Sequence, residues 1–153
     1  MRRGSNTTDD SLMSIAVASA LMQTGEGGDF KASVVSTMRQ IAAKYPCPMG
    51  GYGGRFRHWL VSSDPQPYGS FGNGSAMRVS PCGDVAATLD EALALAKQSA
   101  EVTHSHPEGI KGAQAVAAAI YLARTGESRN GIRSYIEQNF YPLEQTVDEI
   151  RPR

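Results

Sequence analysis

Apolar residues return every three or four positions through most of this chain, and strict two-residue alternation is scarce. A period near 3.6 marks a helix with one buried face, so the pattern predicts an all-α fold. The first stripe, Leu12, Ile15, Ala16 and Met22, predicts a helix over about 9–23 that Gly25 ends. A second helix covers about 30–45 and stops ahead of Pro46, because a proline ring disfavours helical geometry in the residue before it. From Pro46 to Pro81, glycine and proline interrupt every run and leave room for a short helix near 56–61. Thr88-Leu-Asp-Glu91 has the spacing of a capping box, and Leu89, Leu93, Ala96 and Ala100 form the stripe behind it. Ser105-His-Pro-Glu108 repeats the device: Ser105 is the expected cap, Pro107 suits the first turn, and an alanine-rich helix runs to about Arg124 before Gly126. A last helix is expected over about 130–140.

Composition narrows the picture. A chain of 153 residues fits one domain, residues 1–153, and is long enough for a real core. Fifteen acids balance fifteen bases, so no basic field points to nucleic acid. The longest apolar stretch, Leu12 to Met22, is broken by serines and too short to span a bilayer. Arg2 and Arg3 resemble the charged start of a signal peptide, but Asp9 and Asp10 stand where its apolar region would begin. Cys47 and Cys82 make no CxxC motif, and a chain of this size needs no disulfide framework, so a reducing cytoplasmic setting is expected. The aromatics of the punctuated region, Tyr52, Phe56, Trp59, Tyr68 and Phe71, argue that it is folded, since disordered segments are poor in them.

Three short segments could carry chemistry. Gly69-Ser-Phe-Gly-Asn-Gly-Ser75 could turn its backbone N–H groups toward an anion if its glycines adopt positive φ, with a helix starting after Gly74 and Arg78 within a turn of that start. A plain tight turn with Arg78 in solvent accounts for the same residues. Thr8-Asp9-Asp10 opens the first helix; acids there complement the helix dipole, and they are also hard oxygen ligands of the kind Mg2+ prefers. Thr103-His-Ser-His106 places two imidazoles ahead of a helix start, where each can bind a ligand or serve the cap, and zinc would need a third ligand. Tyr52, Phe56, Trp59 and Tyr68 read first as packing, although either tyrosine could serve an adenine.

Together, Thr-Asp-Asp at 8–10, Gly-Asn-Gly-Ser-Ala-Met-Arg at 72–78 and Thr-His-Ser-His-Pro-Glu-Gly at 103–109 resemble the ADP-ribosylglycohydrolase family, in the family's order and over nearly the whole chain, Thr7 to Glu149. The resemblance implies an all-α fold with two Mg2+ ions at the mouth of a cleft, ADP-ribose or an ADP-ribosylated protein as partner, and hydrolysis of the glycosidic bond that attaches ADP-ribose to a side chain. It implies Thr8, Asp9 and Asp10 as metal ligands, Asp9 and Asp10 as catalytic, and Gly72, Asn73, Gly74, Ser75, Arg78, His104 and His106 as substrate-binding. The family pattern also has a Gly-Asp-rich helix before Thr-Asp-Asp and an Asp-x-Asp-Thr motif far downstream. Neither stands in these residues, which implies a truncated member with half of the metal-ligand set. Two expectations follow: self-association over helix faces left uncovered, and, as the alternative to catalysis, a relative that binds ADP-ribose or nucleotide without turnover or serves an interaction role.

Overall fold

The computed structural model describes residues 7–25, 27–145, 149 and 151. Arg2 and Arg3 lie outside them. Among the described residues there are seven helices and no strand: α1 (Asp9–Gln23), α2 (Phe30–Lys44), α3 (Gly54–Val61), α4 (Ser80–Val85), α5 (Leu89–Glu101), α6 (Pro107–Arg124) and α7 (Arg129–Asn139). The fold is all-α, as the periodicity predicts. No helix of the described residues is long and apolar enough to cross a membrane.

Local chemistry sets most of the boundaries. Asp29, Thr88 and Ser128 each cap the helix that follows by accepting from the N–H three residues on, at 3.1, 3.2 and 3.0 Å. Glu91 completes the cap of α5 by accepting from the Ala87 N–H at 2.7 Å. Gly126, at φ 91°, ends α6 in a conformation that favours glycine. Ser105 does not cap α6: His106 is the N-cap, and its Nδ1 accepts from the Glu108 N–H at 3.2 Å.

The helices pack as two sequential pairs, α1 with α2 and α5 with α6, with α4 lodged where α1, α5 and α6 meet. Sequence periodicity misses α4, since six residues complete too little of a helical repeat to show one. Its Gly83 is required by close approach: a Cβ there would stand 2.6 Å from the Ala117 carbonyl oxygen. One continuous core joins Met13, Val17, Val34, Met38, Val79 and Cys82 to the small side chains Ala96, Ala113 and Ala117 of the second pair. On α1 the buried face is Leu12, Met13, Ala16, Val17 and Ala20, not the stripe through Ile15 and Met22, which are 50% and 88% exposed. On α5 it shifts likewise, to Ala92, Ala96, Ser99 and Ala100.

The segment between α2 and α4 is pinned to the helices at several points. Met49 donates its N–H to the Thr7 carbonyl at 3.0 Å. Tyr68 donates to Thr103 and accepts from Ser105, at 2.9 and 3.0 Å. Ser75 Oγ donates to the Gly109 carbonyl at 2.6 Å, and Ser14 Oγ to that of Met77 at 3.2 Å. These bonds satisfy a long backbone that would otherwise have to stay in water. They also bring residues near 8, 54, 73 and 104 together.

Candidate functional site

An open cleft of about 320 Å³ lies between the first turn of α1, the start of α3, the 70–78 loop and His104. Asp9, Asn73, Gly74, Arg78 and His104 line it, and the remaining candidates lie around it. Gly72, Ser75 and His106 face a neighbouring cavity across the loop, and Thr8 and Asp10 flank Asp9 in sequence. Sequence reasoning singled out no ligand role for Gly53, Gly54 and Arg55, which form the wall together with Ser70 of the glycine loop. The Gly-Gly-Tyr-Gly-Gly run was the available signal for the first two, since repeated glycine beside a short helix allows close approach to a ligand.

The glycine loop is not a left-handed nest. No glycine from Gly69 to Gly74 has positive φ; among the described residues those are Gly27, Gly50, Gly51 and Gly126. Instead the chain makes one helical turn, with Met77 N–H donating to the Asn73 carbonyl at 2.9 Å, before α4 begins at Ser80. Asn73 is left exposed beside the cleft.

Arg78 is 1% exposed, so the solvated alternative does not hold. Its Nη1 donates to the Gly74 carbonyl at 3.0 Å, its Nη2 to Thr103 Oγ1 at 2.9 Å and also to the Ser99 carbonyl, and its Nε to Ser99 Oγ at 3.4 Å. Burial lowers its pKa to about 10, which still leaves it charged at neutral pH. The guanidinium thus ties the loop to the end of α5.

His104 is 2% exposed, and Thr103 Oγ1 stands 2.7 Å from its Nδ1. With Arg78 donating to that oxygen and the Ala100 carbonyl 3.4 Å away, Nδ1 is the closer acceptor for the Thr103 hydrogen, and a neutral ring that accepts there carries its own proton on Nε2. Burial and then the Arg78 charge lower the His104 pKa to about 4, so the ring is neutral at physiological pH. Among the described residues Nε2 makes no hydrogen bond of ordinary geometry, and the Gly72 backbone nearby is the smallest of the influences on the ring's pKa. The cleft wall therefore holds a fixed neutral donor in need of an acceptor.

At the other side of the cleft, Thr8 is the N-cap of α1 but makes no side-chain capping bond, which leaves its hydroxyl for another use. Burial first and the neighbouring Asp10 carboxylate second raise the Asp9 pKa. A hydroxyl free of capping duty beside two carboxylates that repel each other is a donor set that suits one hydrated hard cation. No group of three or more His, Cys, Asp or Glu side chains with metal-binding placement occurs among the described residues. Nucleophilic chemistry at Cys82 finds no support: burial pushes its thiol up to about 12.

The chain is 31% identical over 135 residues to the ADP-ribosylhydrolase ARH3 of Gallus gallus, covering 78% of this chain and 35% of that protein. It is 35% identical over 83 residues to the ADP-ribosylhydrolase ARH3 of Bos taurus, covering 54% of this chain and 22% of that one. The chain thus spans about a third or less of the length of these curated relatives. The sequence model of the ADP-ribosylglycohydrolase family matches residues 2–152, and on that match the chain belongs to the ADP-ribosylglycohydrolase family.

Proposed function

We propose that this protein binds ADP-ribose in the cleft between Asp9 and His104 and contributes to hydrolysis of the bond joining ADP-ribose to a protein side chain. The observation that carries the reading is the buried, neutral Nε2–H of His104 on the cleft wall, which makes no hydrogen bond of ordinary geometry among the described residues and stands across from the acidic first turn of α1. Diphosphate and ribose oxygens are acceptors, and that donor needs one. Asn73, exposed at the loop, adds donors and an acceptor for ribose hydroxyls, and Arg78 acts from behind by holding the loop.

Thr8, Asp9 and Asp10 would hold a Mg2+ ion in this reading. Bound there, it would supply charge stabilisation to oxygens of the ligand or of an attacking water. The chain's own carboxylates orient that water and manage its proton as positive charge develops at the sugar carbon. Family membership and the similarity to the two ADP-ribosylhydrolases support this reading. Self-association belongs to it as well: Ile15, Met22 and Val85 present exposed apolar side chains. A monomer by light scattering at micromolar concentration would remove that element alone.

Calorimetric titration of ADP-ribose into the protein, with Mg2+ and again with chelator, tests the binding. Magnesium-dependent binding that Asp9→Asn abolishes is the expected result, and absence of binding in both conditions sinks the proposal. Release of ADP-ribose from ADP-ribosylated protein then separates catalysis from binding without turnover.

A further inference from the structure

Two buried side-chain polar atoms lack a partner among the described residues, Nε2 of His104 and Nε1 of Trp59. His104 belongs to the cleft already described. Trp59, 2% exposed, forms part of the wall of a second cavity of about 450 Å³ that shares Gly54, Arg55 and Tyr68 with the first. Phe56 stacks on the indole at 5.6 Å between centroids and 17° between planes, which fixes the ring and holds its N–H in place. A buried N–H without an acceptor is costly, because it has given up water for nothing. The arrangement is the same as at His104: a packed ring, a donor without a partner, and a cavity beside it.

We propose that the second cavity receives the polypeptide side of an ADP-ribosylated protein, with a main-chain carbonyl next to the modified residue accepting the Trp59 Nε1–H bond. This deepens the function proposed above and rests on it. Continuity comes first: the two cavities share Gly54, Arg55 and Tyr68 in their walls, so a chain attached to a sugar in the first cleft has the second directly beside it. Chemistry comes next: the wall is mostly apolar and includes Trp59, whose buried N–H is uncharged, so it suits a neutral amide and penalises a buried carboxylate. Arg55 and His58 are exposed at the edge, where charged flanking residues of a peptide can stay in water. A purine fits this cavity less well, since Phe56 already covers one face of the indole. Phe71, 75% exposed in the cavity on the far side of Asn73 and in edge contact with His106, offers a more open ring instead.

The test compares two probes, free ADP-ribose and a synthetic peptide bearing a non-hydrolysable ADP-ribosyl analogue on its central side chain. Trp59→Phe deletes the N–H and keeps a ring against Phe56. Gln66→Trp fills the mouth from an exposed position whose amide donates to the Asp64 carboxylate, so it serves if the first variant melts early. Each variant should weaken peptide binding about five- to tenfold, the worth of one hydrogen bond or a blocked contact, and leave ADP-ribose affinity unchanged. Equal weakening of both probes would assign the cavity to ADP-ribose itself and overturn the inference; no change in either would overturn it too. If the wild-type protein binds neither probe, the proposed function fails and this inference fails with it.

Discussion

Arg78 Nη2 donates to Thr103 Oγ1 at 2.9 Å, and that bond decides what His104 presents to a ligand. With its oxygen engaged by the guanidinium, the Thr103 hydroxyl donates to His104 Nδ1 at 2.7 Å; its other acceptor, the Ala100 carbonyl, is distant at 3.4 Å. The three residues form a one-way chain from a permanent cation to a ring proton on Nε2.

Thr103→Val keeps the shape of the side chain and breaks the chain. The His104 ring should then show a mixture of tautomers in its nitrogen NMR shifts, where the wild type shows one. ADP-ribose affinity should fall about fivefold, and stability by about 1–3 kcal/mol, because a buried guanidinium N–H loses its acceptor. An unchanged tautomer would show that Thr103 does not set it.

His104 also gives a pH dependence of known sign. Its folded pKa of about 4 lies below the ordinary 6.5 because of burial and then the Arg78 charge. Between those values the unfolded chain binds the proton and the folded one does not, so stability falls as pH drops from about 6.5 to 4. Arg78, Tyr68 and Thr103 are the polar or charged side chains against the ring, and none of them titrates in that window. Urea unfolding near pH 7.5 and near pH 4.5 should show a loss that is about 2–3 kcal/mol smaller in His104→Gln than in wild type. Equal losses would mean that the ring is not held neutral.

What the sequence could say about these groups follows the range of the forces involved. Caps and stops are local, and Thr88, Pro46 and Gly126 act where their chemistry places them. The Ser105 expectation misses by one residue because two side chains in the same turn can accept from the helix start, and His106 takes the bond. Burial is not local. Nothing near Arg78 in sequence announces partners at Ser99 and Thr103, 21 and 25 positions away, so a buried tie reads as a surface cation. For the same reason the stripe on α1 includes Ile15 and Met22: periodicity finds a face, and the neighbouring α2 and α4 decide which face is covered. His104, Asn73 and Asp9 were legible as candidates through the family motifs, whereas Trp59 reads as packing until its N–H is seen without a partner.

Two glycines separate fold from site. A Cβ on Gly83 would stand 2.6 Å from the Ala117 carbonyl and 2.8 Å from Ile120 Cβ, and one on Gly109 would stand 2.6 Å from the Ser70 carbonyl and 2.9 Å from His104 Cδ2. Both substitutions to alanine should destabilise by about 1–3 kcal/mol through overpacking. Only Gly109→Ala pushes directly on the loop and on His104. After melting temperatures are matched, ADP-ribose binding should be weakened in Gly109→Ala and retained in Gly83→Ala. Equal binding in the two variants would detach the Gly109 contact from the site.

Arg78 and Asn73 stand five positions apart in one motif and should fail in different ways. Lysine at 78 carries one nitrogen and cannot reach Gly74, Ser99 and Thr103 together, so carbonyl and hydroxyl groups now satisfied in the core would lose their donors. Arg78→Lys should lower stability by about 3 kcal/mol or more, through several lost buried bonds, and reduce ADP-ribose affinity as a consequence of a loosened loop. Asn73 is exposed, so Asn73→Ala should leave the melting temperature within about a degree of wild type and weaken ADP-ribose binding directly. Thermal unfolding paired with calorimetry reads both quantities. If Arg78→Lys kept full stability while losing affinity, the guanidinium would be contacting ligand rather than tying the loop to α5, and the support role given to it here would be wrong.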